Sequence, residues 1–444
     1  MNAAPFLLLL AVLQQTPDEV GGEAGSEAEP GMKFRLGLEV GPLSFPSGTR
    51  GGGQDFFALA SPMARLENPH FAVELGAPLR FRLLDKDPQQ AAGDYGPRLR
   101  REDWDTKSDY GQVVRKLRIG QKEKVFHLHA GPLTAFTLGE GHLVDRYENR
   151  LSPDYHPAGA VATINVGPTR VQLAASDVLS PRLFAGELRM DIGMLVSAEE
   201  RKEERKERFY GIASVAHDFG QAGEEGPGAI TAVLLGGNAA LYKGEHLQLF
   251  ALAAGGTRVD TSTDIGAFGG FAFRGLSESN RVEVSGRVEA RYQGGSFRFG
   301  LFGPSYELAR FSATGLSEAP LSDEVLPRHL SGFGELKLRV GSNAVEELQM
   351  SASASGEYFA FGRTDTDLAL TMVLPGGKTT AIARLIIVGV GTQPRYSVRA
   401  TLQQRVLDSL YIWGSGSTLH FPQPDNTLVR GVSVGAGVGV DFHN

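Results

Sequence analysis

The chain of 444 residues contains no cysteine and only two tryptophans. Without cysteine there are no disulfides, thiolate metal sites, iron–sulfur clusters or cysteine nucleophile. No stretch of about 18 consecutive apolar residues is present, so no segment can cross a bilayer as a helix. There is no excess of bases either, as 44 Lys and Arg stand against 51 Asp and Glu, a formal charge of −7. Residues 1–31 hold five of the acids (Asp18, Glu19, Glu23, Glu27 and Glu29), and without them the body is close to neutral at −2. A near-neutral body offers no basic patch to a nucleic acid, so no nucleic-acid partner is expected. No strand–helix–strand rhythm appears, which disfavours a parallel α/β sheet.

Glycine, by contrast, is abundant: 57 residues, nearly twice the usual share of about 7%. The mean hydropathy of −0.14 is too polar for a helical membrane protein. The composition is also too apolar and too patterned for disorder.

The N-terminus reads as a leader. Residues 3–13 (A-A-P-F-L-L-L-L-A-V-L) have the length of a secretory signal core, although no base precedes it and no small-x-small cleavage site follows. The alternative is a buried segment of the fold. We expect a signal peptide over 1–16, an acidic flexible linker over 17–31 and a folded body over 32–444. The lack of cysteine is compatible with export through an oxidising periplasm.

From Lys33 onward the hydrophobic period is 2. Val432, Val434, Ala436, Val438, Val440 and Phe442 alternate with Ser433, Gly435, Gly437, Gly439 and Asp441, so they leave opposite faces of one strand. Elsewhere the second face is charged: Arg281, Glu283, Arg287, Glu289 and Arg291 against Val282, Val284, Val288, Ala290 and Tyr292; Glu335, Lys337 and Arg339 against Leu336, Leu338 and Val340; Arg395 and Arg399 against Tyr396, Val398 and Ala400. Twenty-one segments read as strands, including 55–62, 158–167, 169–177 and 295–311. Single-chain barrels usually have an even number. We therefore expect about 18–20 strands, with 55–62 or the pair 158–177 as the segments to drop.

Connectors are of two kinds. Gly167-Pro168-Thr169, Gly244-Glu245, Gly294-Gly295, Gly341-Ser342-Asn343 and Pro375-Gly376-Gly377 suit tight turns. The stretches 85–111, 140–157, 194–207, 311–330 and 419–428 are long and polar. Short turns at one end and long loops at the other, with one apolar and one charged face, predict an all-β, antiparallel up-and-down transmembrane barrel. Its strand ends carry aromatics (Tyr292, Phe297, Phe299, Phe302, Tyr306, Phe311, Tyr358, Tyr411, Trp413, Phe442) that fit interfacial girdles. The run Glu199–Arg208 (E-E-R-K-E-E-R-K-E-R) reads as an extramembrane loop with at most a short helix, since its i,i+4 pairs are like-charged.

The ending G-V-S-V-G-A-G-V-G-V-D-F-H-N resembles the closing strand of Gram-negative outer-membrane β-barrels, which end in alternating apolar residues and an aromatic. Here Phe442 is followed by His443 and Asn444, a departure from that pattern. The resemblance implies a porin-like barrel in the outer membrane, surrounded by its lipid. It further implies recognition of Val438, Val440 and Phe442 by the barrel-assembly machinery.

Candidate chemistry is sparse. His127 and His129 share one strand face at a metal-binding spacing, with His142, His156 and Asp145 as further candidates; lumen or interfacial histidines are the plainer reading, and no metal or cofactor is expected. Gly414-Ser415-Gly416-Ser417 lacks the last glycine and the helix of a nucleophile elbow, and Ser417, His420 and Asp425 form a polar cluster at a strand end. Gly51-Gly52-Gly53 precedes no helix and is no phosphate loop. The loop Arg98–Tyr110, with Arg98, Arg100, Arg101, Trp104 and Asp105, is read as a lumen constriction or a docking loop, or as a loop simply packed on the barrel.

The expectation is a non-enzymatic, water-filled passage for small polar solutes or ions, lined by Arg281, Glu283, Arg287, Glu289, Arg291, Glu335, Lys337, Arg339, Arg395 and Arg399, with weak anion preference or little selectivity. The alternatives are a structural subunit of an envelope-spanning complex for motility, adhesion or secretion, docking periplasmic or outer-membrane partner proteins, and an outer-membrane hydrolase.

Overall fold

The structure is a computed structural model describing residues 31–46, 53–84, 99–122, 124–197, 208–220, 228–259, 264–279, 281–310, 325–341, 347–392, 394–422 and 428–443. The expected signal peptide, nearly all of the linker, Gly51, Gly52, Arg98, Phe311 and Asp425 lie outside them, as does all of the charged run except Arg208.

The strands are β1 (Lys33–Pro46), β2 (Gln54–Glu67), β3 (Phe71–Gly76), β4 (Leu79–Leu84), β5 (Val114–Gly120), β6 (Phe126–Gly131), β7 (Gly159–Val166), β8 (Thr169–Ala175), β9 (Leu183–Asp191), β10 (Phe209–Asp218), β11 (Ile230–Lys243), β12 (Leu247–Arg258), β13 (Ile265–Leu276), β14 (Val282–Gly295), β15 (Leu326–Val340), β16 (Gln349–Phe359), β17 (Arg363–Val373), β18 (Thr379–Val390), β19 (Arg395–Leu407), β20 (Leu410–Pro422) and β21 (Leu428–His443). All pairings between them are antiparallel, and β21 returns to pair with β1, Phe442 opposite Leu36 and Val440 opposite Leu38. β3 and β4 both pair with β2 and form one interrupted stave, broken at Ala77-Pro78. Proline cannot donate to a ladder, which explains the break. Counting that stave once, the barrel has 20 staves, at the upper end of the expected range.

The count was reached by a different route from the one expected. Segments 55–62 and 158–177 are true staves, as β2, β7 and β8. The false strand is 295–311. Gly294 and Gly295 have φ of +153° and +65°, and a Cβ on Gly295 would stand 2.1 Å from the Asp264 carboxyl carbon. The pair does open a tight turn, in which Gly294 and Phe297 exchange backbone hydrogen bonds of 3.2 and 3.4 Å, but the turn does not lead to a neighbouring stave. It takes the chain off the sheet and into the lumen. Its alternating phenylalanines imitate a strand because they pack on apolar lumen neighbours.

The two faces of the wall are chemically distinct. Leu235, Phe271, Val288, Leu330, Leu336, Val438 and Phe442 are exposed on the outside, with Leu235 at 71%. Their neighbours Arg287, Glu289, Arg291, Ser433 and Asp441 are buried inside. An apolar outer belt on a closed sheet satisfies both demands of a lipid bilayer, since no edge or polar backbone group is left facing hydrocarbon. The chain is thus a β-barrel of the outer-membrane type. Among the described residues no helix is long and apolar enough to span.

The girdle holds in part. Tyr292, Tyr358 and Phe442 face outward and are exposed. Phe297, Phe299, Phe302, Tyr306, Tyr411 and Trp413 are instead buried inside the barrel. Both termini of the barrel and the connectors 68–70, 167–168 and 408–409 lie at one end, while the described residues 99–113, 132–158 and 296–310 lie at the other. The link from β9 to β10 breaks this division, being long in sequence although its described residues 192–197 lie at the end of the short turns.

Candidate functional site

Two segments from the long-loop end fold into the lumen and fill much of it. The first, 132–158, turns back on itself: Phe136 and Tyr147 exchange backbone hydrogen bonds of 2.9 and 2.8 Å, and Leu138 N–H donates to Val144 O at 3.0 Å. Its tip turns at Gly139 and Gly141, with φ of +55° and +79°. A second segment, 296–310, lies alongside. Asp145 N–H donates to Phe302 O at 3.2 Å, Phe302 N–H to Leu143 O at 3.1 Å and Gly300 N–H to His142 O at 2.9 Å. It ends in a short helical turn, α2 (Tyr306–Ala309).

One side of this plug is apolar. Leu133, Leu138, Leu143, Val144 and Tyr147 of the first segment join Phe297, Phe299, Leu301, Phe302 and Tyr306 of the second in a single buried cluster. The inner face of β7–β13 completes it through Val161, Ala185, Ala216, Ala232, Leu234, Leu252 and Phe268. Phe299 meets Phe268 edge-on at 5.1 Å and Phe297 at 5.2 Å. These small and apolar inner positions are unlike a wet porin wall, and they explain why the second segment sits there.

The other side is ionic. Asp145 pairs with Arg146 at 2.8 Å and with Arg287 at 3.4 Å. Glu148, buried at 1% exposure, accepts from Arg384 at 3.1 Å and also pairs with Arg399. Arg384 reaches on to Asp367 at 2.9 Å. On β14, Arg287 meets Glu335 at 3.1 Å, and Arg291 meets Glu289 at 2.6 Å and Glu357 at 2.8 Å. His142 lies 3.2 Å from Glu289 and stacks on Phe268 at 4.2 Å.

A third set of contacts ties the two segments to the rim. Tyr147 donates to Glu307, and Tyr306 to Asp218. Arg310 lies 3.3 Å from Asp218 and 3.6 Å from Glu307. Burial, reinforced by the adjacent carboxylates, raises both phenols well above the usual tyrosine range, so they stay protonated as donors.

Above the plug, the loop 99–113 is pinned by Asp103, which is fully buried. Arg80 and Arg100 each approach Asp103 at 2.6 Å, and His156 at 3.5 Å. Burial alone would raise this carboxyl, but the two guanidinium groups hold it well below the usual range. Arg100 also meets Asp154 at 2.5 Å. Arg101 and Asp105 are exposed, and Trp104 packs edge-on against Tyr110 at 6.1 Å. This loop packs on the barrel and the first inward segment.

Among the described residues a crevice lies between the second segment and β15–β18. It is bordered by Asp145, Arg146, Arg291, Phe333, Glu357, Arg363, Asp365 and Asp367, with a cavity volume of about 80 Å³. That is room for a few waters. Arg363 and Asp365 pair across its wall at 2.7 Å.

The residues singled out in the sequence are distributed as follows. Arg287, Glu289, Arg291, Glu335 and Arg399 lie on the inner face and engage the plug or one another. Arg281, Glu283, Lys337 and Arg339 lie nearer the short-turn end and are more exposed, pairing with Glu347, Arg274, Glu335 and Glu283. Arg395 borders a small apolar pocket with Leu151, Leu308, Tyr396 and His420. Val438 and Phe442 face outward beside β1.

His142, His156 and Asp145 are drawn apart from His127 and His129 by the partners just described. No group of three metal-ligating side chains forms among the described residues. His420 Nε2 and Ser415 Oγ have no hydrogen-bond partner among the described residues. The anchors Glu148, Arg384, Asp218, Glu307 and Tyr147 were missed. The dense alternation of charge and apolar residues in G-E-G-H-L-V-D-R-Y-E-N-R was the available signal.

No family model matches the chain, and neither does any curated protein. Among solved structures, the chain is similar to OpdL of Pseudomonas aeruginosa, at 10% identity over 93% of this chain and 98% of that one with a TM-score of 0.33. OccAB3 of Acinetobacter baumannii gives 11%, 93%, 99% and 0.34. A porin refined at 1.8 Å gives 9%, 93%, 100% and 0.30. At such scores these likenesses carry no argument, and the assignment as an outer-membrane-type β-barrel rests on closure of the sheet and its two faces.

Proposed function

We propose that the protein is a porin-like barrel of the Gram-negative outer membrane with a narrow, plugged passage for water, ions and small polar solutes. The observation that carries this reading is the plug itself. Two inward segments fill the lumen but leave a crevice walled by charged side chains of both signs, Arg146, Arg291 and Arg363 against Asp145, Glu357, Asp365 and Asp367. Walls of both signs support little selectivity between anions and cations. Solutes larger than a few waters need the plug to move. On this reading the chain is not an enzyme, and its last strand serves barrel assembly.

Planar-bilayer recording tests it. The intact protein is expected to give small conductance steps, and a variant with 134–148 replaced by a short glycine–serine linker much larger ones. Silence from both proteins, with the barrel shown intact, refutes a passage.

A second reading, a structural subunit of an envelope complex, is favoured by the core-like packing of the lumen. It predicts that other envelope proteins co-purify with the barrel, and recovery of the barrel alone counts against it.

A further inference from the structure

The link from β9 to β10 is long in sequence, and its described residues 192–197 lie at the end that otherwise carries short turns. It opens with a single helical turn, α1 (Ile192–Val196), capped at its start by Asp191, whose side chain accepts from Met194 N–H at 3.0 Å. Ser197 closes it, its hydroxyl donating to Gly193 O at 2.5 Å. Three of its five residues are apolar and exposed: Ile192 at 42%, Leu195 at 51% and Val196 at 72%. The sequence then turns abruptly to charge at Glu199 and stays charged to Arg208.

The position of α1 decides what these side chains meet. The Ile192 Cδ1 lies 3.2 Å from where a Cβ on Gly211 would stand. Gly211 belongs to the outward face of β10, in line with Phe209 and Val215, which are 47% and 46% exposed. The helical turn therefore lies against the outside of the wall, not across the barrel mouth. Its apolar residues continue the lipid-facing belt at the edge of the membrane, and in the sequence the charged run follows them. An apolar turn followed by charge is the arrangement that settles at the boundary between acyl chains and headgroups.

We propose that α1 is an interfacial anchor, with Leu195 and Val196 inserted into the lipid leaflet at the short-turn end. Its occupant is lipid, because the patch is continuous with the apolar belt of β9 and β10. The anchor fixes the depth of the barrel at that edge, where mismatch between wall height and bilayer thickness is resolved.

The absence of cysteine from the chain makes the test clean. Single variants Leu195→Cys and Val196→Cys carry a nitroxide label in phosphatidylethanolamine–phosphatidylglycerol vesicles. Val288→Cys in the belt and Tyr110→Cys at the opposite end serve as references. A retained gel shift between unheated and boiled samples confirms folding of each. The expected result is that labels at 195 and 196 collide readily with oxygen and poorly with a water-soluble nickel chelate, at a depth shallower than 288. Chelate accessibility equal to that at 110 places α1 in water and overturns the proposal. Protection from both reagents means a protein surface covers α1, and overturns it equally. Neither outcome bears on whether the lumen conducts.

Discussion

Glu148 is the residue whose loss most directly tests the plug. It is buried at 1% exposure and meets Arg384 at 3.1 Å and Arg399, which come from β18 and β19. Replacing one member of a buried ion pair costs about 3–5 kcal/mol, because the partner charge is left uncompensated. Arg384 keeps Asp367 at 2.9 Å, so Glu148→Ala belongs at the low end, about 3 kcal/mol. Since each 1.4 kcal/mol is a factor of ten, the undocked population of the first segment rises about 100-fold. The barrel ladder does not involve Glu148 and stays closed. Two assays read this: trypsin cleavage after Arg146 and Arg150 accelerates by roughly that factor, and bilayer recordings show more frequent or larger openings. Arg339→Ala, whose side chain is 55% exposed near the other end, leaves both unchanged. If Glu148→Ala shows wild-type cleavage and conductance with a normal heat-dependent gel shift, the ionic side of the plug does not hold it in place.

Two further predictions concern acid and closure. Burial lowers the pKa of both His142 and His156, so the docked plug binds fewer protons than the released one; docking weakens as pH falls through the ordinary histidine value of about 6.5. Conductance therefore increases between pH 7.5 and pH 5, and the double variant His142→Gln/His156→Gln abolishes the change; a dependence that survives it assigns the effect elsewhere. At the seam, Asp441 receives both terminal nitrogens of Arg405 at 2.8 Å and also Arg35, joining β21 to β19 and β1. Asp441→Asn is expected to cost about 1–2 kcal/mol, since both arginines remain partly exposed. The temperature at which the unheated band converts to the unfolded one falls, and an unchanged conversion temperature refutes a role in closure.

The amino-acid sequence by itself determined the wall. In β21, β14 and β15 a strict period of 2 separates an apolar from a polar set, and a strand has no means of mixing them. That is why the outward Val288, Leu336 and Val438 and the inward Arg287, Glu289 and Glu335 were legible residue by residue, although β15 begins at Leu326, five residues inside the stretch 311–330 expected as a loop. Only the tertiary structure decided what fills the lumen. Phe297, Phe299 and Leu301 alternate as well as any stave, yet they face Phe268 and Leu252 inside the barrel. Local pattern reports that a side chain avoids water, without saying whether lipid or another wall replaces it. Likewise Arg287 and Arg399 read as lining charges, but their partners Asp145 and Glu148 are 142 and 251 residues away in the chain. Such pairs exist only once the sheet has closed and the segment between β6 and β7 has turned inward, which makes the plug a property of long-range packing.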